Sequence, residues 1–162
     1  MAHFAELIEK TDPTGFTSDK HLVVERVTVV DNNISTAAGP LGENNEHVDG
    51  ETWCKNFFGQ DTIWKQTSYN HNFRKQYAGK GYVYDAAKNK FLKSQPFSSW
   101  SLNSDDNWEA PVTFPTIREY GDPAKPYDIS WDEAGQKWTA KDLEDPQNSF
   151  NWDASGLTWV SA

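Results

Sequence analysis

The residues that could do chemistry are scattered, and their spacing fits no familiar reaction. Four histidines, His3, His21, His47 and His71, stand apart with no HxH or HxxxH pattern. The single cysteine, Cys54, has no CxxC partner, so a structural zinc site lacks its usual ligands. Cys54 and His71 are the one pair that could serve as nucleophile and base. Cys54, however, falls on the apolar face of a predicted helix, where a thiol is an inert packing group. Acidic neighbours such as Asp105-Asp106 and Glu144-Asp145 do not follow a calcium-loop pattern and read as solvated turns. The 24 Asp and Glu residues offer so many carboxylate pairs that none is singled out for glycoside hydrolysis. Neither GxGxxG nor GxxxxGK[ST] occurs, and Ala78-Gly79-Lys80-Gly81 is too short for a phosphate loop, so it reads as a turn between strands. The expectation is a protein that binds rather than catalyses, with no catalytic residue, cofactor or metal.

Two constellations could carry that binding. The first is electrostatic. Residues 1–54 hold three basic and ten acidic side chains, residues 55–93 eight and two, and residues 94–162 four and twelve, giving charges of −7, +6 and −8 within a net −9. A basic middle bracketed by acidic ends either neutralises within the fold or faces an acidic partner. In the second case Lys65, Arg74, Lys75 and Lys80 are the candidate partner-binding residues. The run FRKQY, Phe73 to Tyr77, could stack nucleobases, but one short run in an acidic chain does not make nucleic acid the expected partner.

The second constellation is aromatic. WDEAGQKW (Trp131 to Trp138) returns as WDASGLTW (Trp152 to Trp159), and the same grammar recurs in YDAAKNKF (Tyr84 to Phe91) and, one residue shorter, in LNSDDNW (Leu102 to Trp108). One reading is a hairpin unit. The first large residue ends a strand, the Asp or Asn oxygen folds onto backbone N–H groups of the turn, and the second large residue opens the return strand. The two rings then pack as a cross-strand pair. The rival reading makes Trp131, Trp138, Trp152 and Trp159 a ligand platform for sugar rings, helped by Asp132, Glu133, Asn151 and Asp153. An isolated hairpin is marginal, so each unit must dock on something.

The elements that position these residues can be read from composition and periodicity. Hydrophobic residues make up 36% of the 162 residues, yet aromatics reach 14%, so large rings must supply much of the core. Residues 3–8 and 22–30 look like strands of a long-looped hairpin. Residues 35–47, rich in Gly, Asn and small side chains, predict an exposed loop. Residues 48–58 place Cys54, Phe57 and Phe58 at i, i+3, i+4, a short helix ending at Gly59. From Asp61 to Asp85 the pattern predicts two strands joined by a polar loop, with a turn at Ala78 to Gly81. Beyond Pro96 the prolines rule out a continuous helix, and short aromatic runs alternate with turn signals. The predicted fold is mainly β (α+β), an antiparallel sheet with one short helix in residues 1–93, followed by Trp-rich β-hairpin repeats in a Pro/Trp-rich segment, residues 94–162. No apolar run is long enough to span a membrane, and MAHFAELIEK lacks the features of a signal peptide, so a cytoplasmic site of synthesis is expected.

The strings MAHFAEL, VERVTVVDNN, WCKNFFG, WKQTSYNHNFRKQYAGKGYVYD and PFSSWSL, together with WEAPVTFP and YDISWDEAGQKW, resemble a family of small proteins of marine tailed phages, chiefly cyanophages. The resemblance covers most of the chain and carries over no catalytic residue. It implies a virion protein assembled in the host cytoplasm. The implied role is a knob-like capsid decoration protein that binds the major capsid protein or another virion protein. The alternative is a tail- or fibre-associated adhesin that binds a host surface polysaccharide. Two segments depart from the family pattern: the loop from Asp12 to Lys20 looks inserted, and residues 139–162 add a further WD…W unit.

Overall fold

The computed structural model describes residues 1–43 and 46–162, and in it the chain divides into two compact units, Met1–Ser94 and Gln95–Ala162. The fold is mainly β, built from antiparallel sheets with one short helix and, later in the chain, small Trp-rich hairpin sheets.

In the first unit, β1 (Ala2–Thr11) and β2 (Lys20–Val30) form the predicted hairpin, paired along their whole length with a bulge between Glu6 and Leu7. The loop between them is tied by Asp12, whose carboxylate accepts from the Thr14 and Thr17 backbone N–H groups and hydroxyls. The segment expected to be an exposed loop is more ordered than its composition suggests. It holds two short paired strands, β3 (Ser35–Thr36) and β4 (Gly39–Pro40), and a 3-10 turn from Leu41 to Glu43, with Leu41 fully buried in the core. Asn44 and Asn45, also part of that expected loop, lie outside the described residues. Helix α1 (Glu46–Phe58) follows, then β5 (Ile63–Thr67), β6 (Val83–Asp85) and β7 (Lys90–Leu92).

The helix face differs from the one read off the spacing. Cys54 is buried, but Phe57 is 68% exposed and stacks on Trp53 instead of entering the core. Close approach explains this: a Cβ at Gly50 would stand 2.1 Å from the Phe4 ring, so the helix seats its Gly50–Cys54 side on β1 and turns Phe57 away. Gly59, at φ 131, ends the helix as expected, its N–H bonded to the Lys55 carbonyl. The connection from Ser68 to Tyr82 is longer than the Asn70-His71-Asn72 break implies. His71, Arg74 and Lys75 all adopt positive φ, which is incompatible with a strand.

Strand order in the first sheet is β5-β1-β2-β6-β7. Side chains alternate across it, so β1 feeds two cores. Ala2 and Phe4 join Val30, Leu41, Cys54 and Trp64 beneath the helix, whereas Ala5 and Leu7 join Val24, Ala78, Tyr84 and Phe91 on the other face.

The second unit is a chain of hairpins: β8 (Ser101–Leu102) with β9 (Trp108–Glu109), β10 (Glu119–Tyr120) with β11 (Lys125–Pro126), and a four-stranded meander. The meander runs β12 (Asp128–Asp132), β13 (Lys137–Lys141), β14 (Ser149–Asp153), β15 (Thr158–Ser161) in that spatial order. Its core is indole: Trp131, Trp138 and Trp152 are buried, with Phe97, Trp100, Val112, Ile129 and Trp159 packed around them.

Candidate functional site

The four repeats are four hairpins, and each closes in the same way. Tyr84 pairs with Phe91, Leu102 with Trp108, Trp131 with Trp138 and Trp152 with Trp159. Asp85 accepts from the Lys88 N–H, Asn103 from the N–H groups of Asp105 and Asn107, and Asp153 from those of Ser155 and Gly156, which is the turn chemistry the sequence implies. Two residues before the second large side chain, every unit has a non-glycine residue in the left-handed region: Asn89, Asp106, Gln136 and Leu157, at φ 52, 58, 46 and 51. The αL residue turns the chain back into register with its partner strand.

Register then places the tryptophans in a row. Trp131 faces Trp138 across β12 and β13, and Trp152 faces Trp159 across β14 and β15. Thr139 pairs with Asn151, and one further step sets Trp138 beside Trp152. Ring centroids are 5.1 Å apart in the first pair and 5.0 Å in the last, both near T-shaped. Burial corrects the platform reading for Trp131, Trp138 and Trp152, which are 8%, 6% and 7% exposed and have no free face for a sugar. The reason is that their side of the meander is covered by the segment from Phe97 to Val112. Trp138 donates its indole N–H to the Val112 carbonyl. Trp159, on the last strand, is half-buried and donates to the Ile117 carbonyl.

Glu133 fixes this arrangement from the turn. Its carboxylate accepts from the Ser98 hydroxyl, the Ser99 N–H and hydroxyl, and the Trp131 indole N–H. These donors, the Ser98 hydroxyl foremost, pull its pKa down to about 2. The sequence places Glu133 among the polar residues that could flank a sugar, but it serves as a clamp between the SSW segment and the first tryptophan hairpin.

The basic candidates are also largely committed inside the fold. The Arg74 side chain is 9% exposed, and its Nη1 donates to the Glu51 carboxylate at 2.8 Å and to the Gln66 carbonyl at 2.7 Å. Its Nε donates to Asn89, and its own carbonyl accepts the Phe91 N–H. Gln66 lies on β5 and Phe91 on β7, the two edges of the sheet. In a flat five-stranded sheet those edges would stand about 19 Å apart. One residue reaches both, so the sheet is rolled nearly shut and Arg74 is its staple. Arg74 is thereby removed from the exposed partner-binding set. Lys65 pairs with Glu51 at 3.3 Å and lies over the Tyr84 ring. Lys75 is half-buried in its left-handed turn. Lys80, 78% exposed and 3.8 Å from Glu25, is the candidate that projects into solvent.

Spacing gives no hint of Glu51, Gln76 and Asn89, and it points Glu133 to a different role. Glu51 also accepts the Gln66 N–H, and Gln76 donates to the Phe91 carbonyl, so a side chain meets the backbone of each edge strand. Edge strands need such cover, and a search for buried-edge polar partners is the signal that finds these residues.

Cys54 and His71 do not form a reactive pair. Burial, with the Glu51 charge in support, pushes the Cys54 thiol up to about 12, and His71 Nδ1 accepts the Tyr77 N–H. Among the described residues no group of three or more His, Cys, Asp or Glu side chains is arranged to hold a metal, and no helix is long and apolar enough to cross a membrane. Two open grooves lie on the described surface. One of about 400 Å³ is lined by Pro111, Val112, Phe114, Trp152 and Leu157, and one of about 340 Å³ by Val48, Glu51, Lys55, Ile63 and Lys65. Compared with known proteins, the chain matches no family model, no curated protein and no solved structure.

Proposed function

We propose that this chain is a phage virion structural protein, a knob-like decoration protein that docks on the major capsid protein. The observation that carries the reading is how the polar side chains are used. Arg74, Glu51, Asn89 and Glu133, the groups most capable of chemistry, are engaged in closing a sheet or pinning a hairpin. Facing outward are shallow apolar grooves and the end strand β15, the material of protein contacts. The resemblance of the long strings to marine phage proteins supports the same role.

Attachment through the second unit is favoured over attachment through the basic middle. Within Met1–Ser94 eleven basic side chains meet twelve acidic ones, and Lys65, Arg74 and Lys80 each face an acid of the same unit. Gln95–Ala162 carries four basic and twelve acidic side chains and is left at −8. The adhesin alternative keeps Trp159 as its one accessible indole of the four, with its N–H already given to Ile117.

Mass spectrometry of purified virions tests the role. The expected result is the chain in intact particles at a copy number tied to the capsid lattice, released by high salt because an acidic surface attaches electrostatically. Detection in infected-cell lysate alone, or a copy number matching the tail, overturns it.

A further inference from the structure

The first unit sets side chains against both edge strands of its sheet, at Gln66 and at Phe91, whereas the meander of the second has β15 as an open end strand. The Ala162 N–H donates to the Ser149 carbonyl at 2.9 Å, which makes that pair a hydrogen-bonded one. Antiparallel ladders alternate, so Asn151 with Val160 and Asp153 with Thr158 are hydrogen-bonded pairs as well. Trp159 and Ser161 therefore turn their N–H and C=O groups away from β14. None of these four backbone groups has a hydrogen-bond partner among the described residues, and β15 is the last strand of its sheet.

The tryptophan row is open at the same place. Trp131, Trp138 and Trp152 each have a cross-strand neighbour on both sides or a covering segment, but Trp159 ends the row half-buried. Around it Leu157 is 58% and Val160 47% exposed, and the apolar groove of Pro111, Val112 and Phe114 begins at Leu157.

We propose that β15 is a docking edge that takes one extended segment of a partner protein as a fifth strand, with a large apolar residue beside Trp159 and lysine or arginine on its other face. Backbone pairing would supply the four missing hydrogen bonds, and side-chain pockets would set the register, as in strand-addition complexes. The charge decides the occupant. A second copy would bring two units of −8 together edge to edge, whereas a basic strand finds a complementary field. The inference names the contact surface for the protein-binding role proposed above and rests on that reading.

The test uses the full chain and short synthetic peptides that alternate lysine with valine or tryptophan, with glutamate-for-lysine and backbone N-methylated counterparts. Amide hydrogen exchange should show Trp159 and Ser161 gaining protection with the lysine peptides and with neither counterpart. Ser161→Pro deletes an outward N–H without touching the β14 ladder, and should weaken binding by about tenfold or more. Binding without protection at these two amides overturns the proposal, as does no binding by any lysine peptide. Equal binding of the glutamate peptides overturns the choice of a basic strand. Protection of the same amides by self-association in the absence of peptide assigns the edge to a second copy instead. The N-methylated peptides leave the protein unaltered, so the result holds even if Ser161→Pro fails to fold. Virion proteomics reads the broader role separately: a chain present in particles but blind to the peptides keeps the role and loses this edge.

Discussion

The two units solve one problem, a short-stranded sheet in a chain poor in aliphatic residues, by opposite means. The first rolls its sheet until a single arginine touches both edges, and its inner core mixes four aliphatic residues with two aromatic ones: Ala5, Leu7, Val24 and Ala78 with Tyr84 and Phe91. The second keeps its meander open and lines one face with a row of indoles, pinned by turn carboxylates. Closure by long-range ionic hydrogen bonds ties Gln66 on one edge strand and Phe91 on the other to the same residue. Closure by local hairpins gives a surface that can be extended.

Removing an indole from the middle of the row should have the largest effect. Trp138 is 6% exposed, packs on Trp131, Trp100 and Phe114, and holds Val112 by its N–H. Trp138→Ala is expected to cost about 4 kcal/mol, the middle of the range for buried large aromatics. Trp159→Ala, at the exposed end, should cost less than half of that. Urea unfolding with amide exchange resolved by unit measures both. Equal costs for the two tryptophans would mean that the row does not end at β15.

Arg74→Ala tests the opposite mode of closure. It leaves the Glu51 carboxylate and the Gln66 carbonyl without their shared donor. Breaking a buried pair costs about 3–5 kcal/mol, and the partial exposure of Glu51 places the expectation near the lower end, about 3 kcal/mol. Arg74→Lys should recover little, because one ammonium cannot reach Glu51, Gln66 and Asn89 together. The loss should be concentrated in amides of β5 and β7. Uniform loss across the first unit would show that the sheet does not depend on a staple.

These two modes differ in how far they can be read from sequence. Each hairpin is a local event: an Asp or Asn beside a large residue, a turn, and a second large residue seven positions on. Its chemistry lies within one string, so Tyr84 with Phe91 and Trp152 with Trp159 are legible. The platform reading fails for Trp131, Trp138 and Trp152 because the string does not say what covers the indole face. The staple joins residues 23 apart, and its geometry depends on a sheet whose strand order is not sequential. Arg74 therefore looks like one more surface cation in FRKQY. Phe57 misleads for a related reason: its helical spacing is right, but the contact of Phe4 with Gly50 selects a different face.

Acid should act on the second unit through its clamp. Glu133 is held near 2 against an ordinary 4.5. A carboxyl depressed in the folded state contributes stability that is complete above its unfolded value and lost as pH falls through the folded one. The second unit should therefore weaken between about pH 4.5 and 2, and Glu133→Gln should flatten that slope while lowering stability at neutral pH. Asp12 is likewise held near 2 in the first unit by Thr14 and Thr17, and the Tyr120 hydroxyl holds Asp142 of the second unit below its ordinary value, so wild-type acid unfolding touches both units and the variant isolates the contribution of Glu133. Acid unfolding that is unchanged in Glu133→Gln would assign the slope to other groups.

The smallest effect separates the hairpins from each other. Leu157 and Asn89 occupy the same left-handed position in their repeats, at φ 51 and 52. A side chain there costs about 1 kcal/mol relative to glycine, and more for leucine than for asparagine, which tolerates αL. Leu157→Gly should therefore stabilise the second unit by up to about 1 kcal/mol, since the exposed leucine gives up little buried area. Asn89→Gly should do the reverse. Its side-chain oxygen accepts from Arg74 Nε and the Tyr84 hydroxyl, so relief of strain is outweighed by two lost hydrogen bonds and a loosened staple. Thermal unfolding of the two variants gives opposite signs if the same turn is a pure hairpin device in one unit and part of the sheet closure in the other. Like signs would mean that Asn89 is no more than a turn residue, and that Arg74 holds the edges without it.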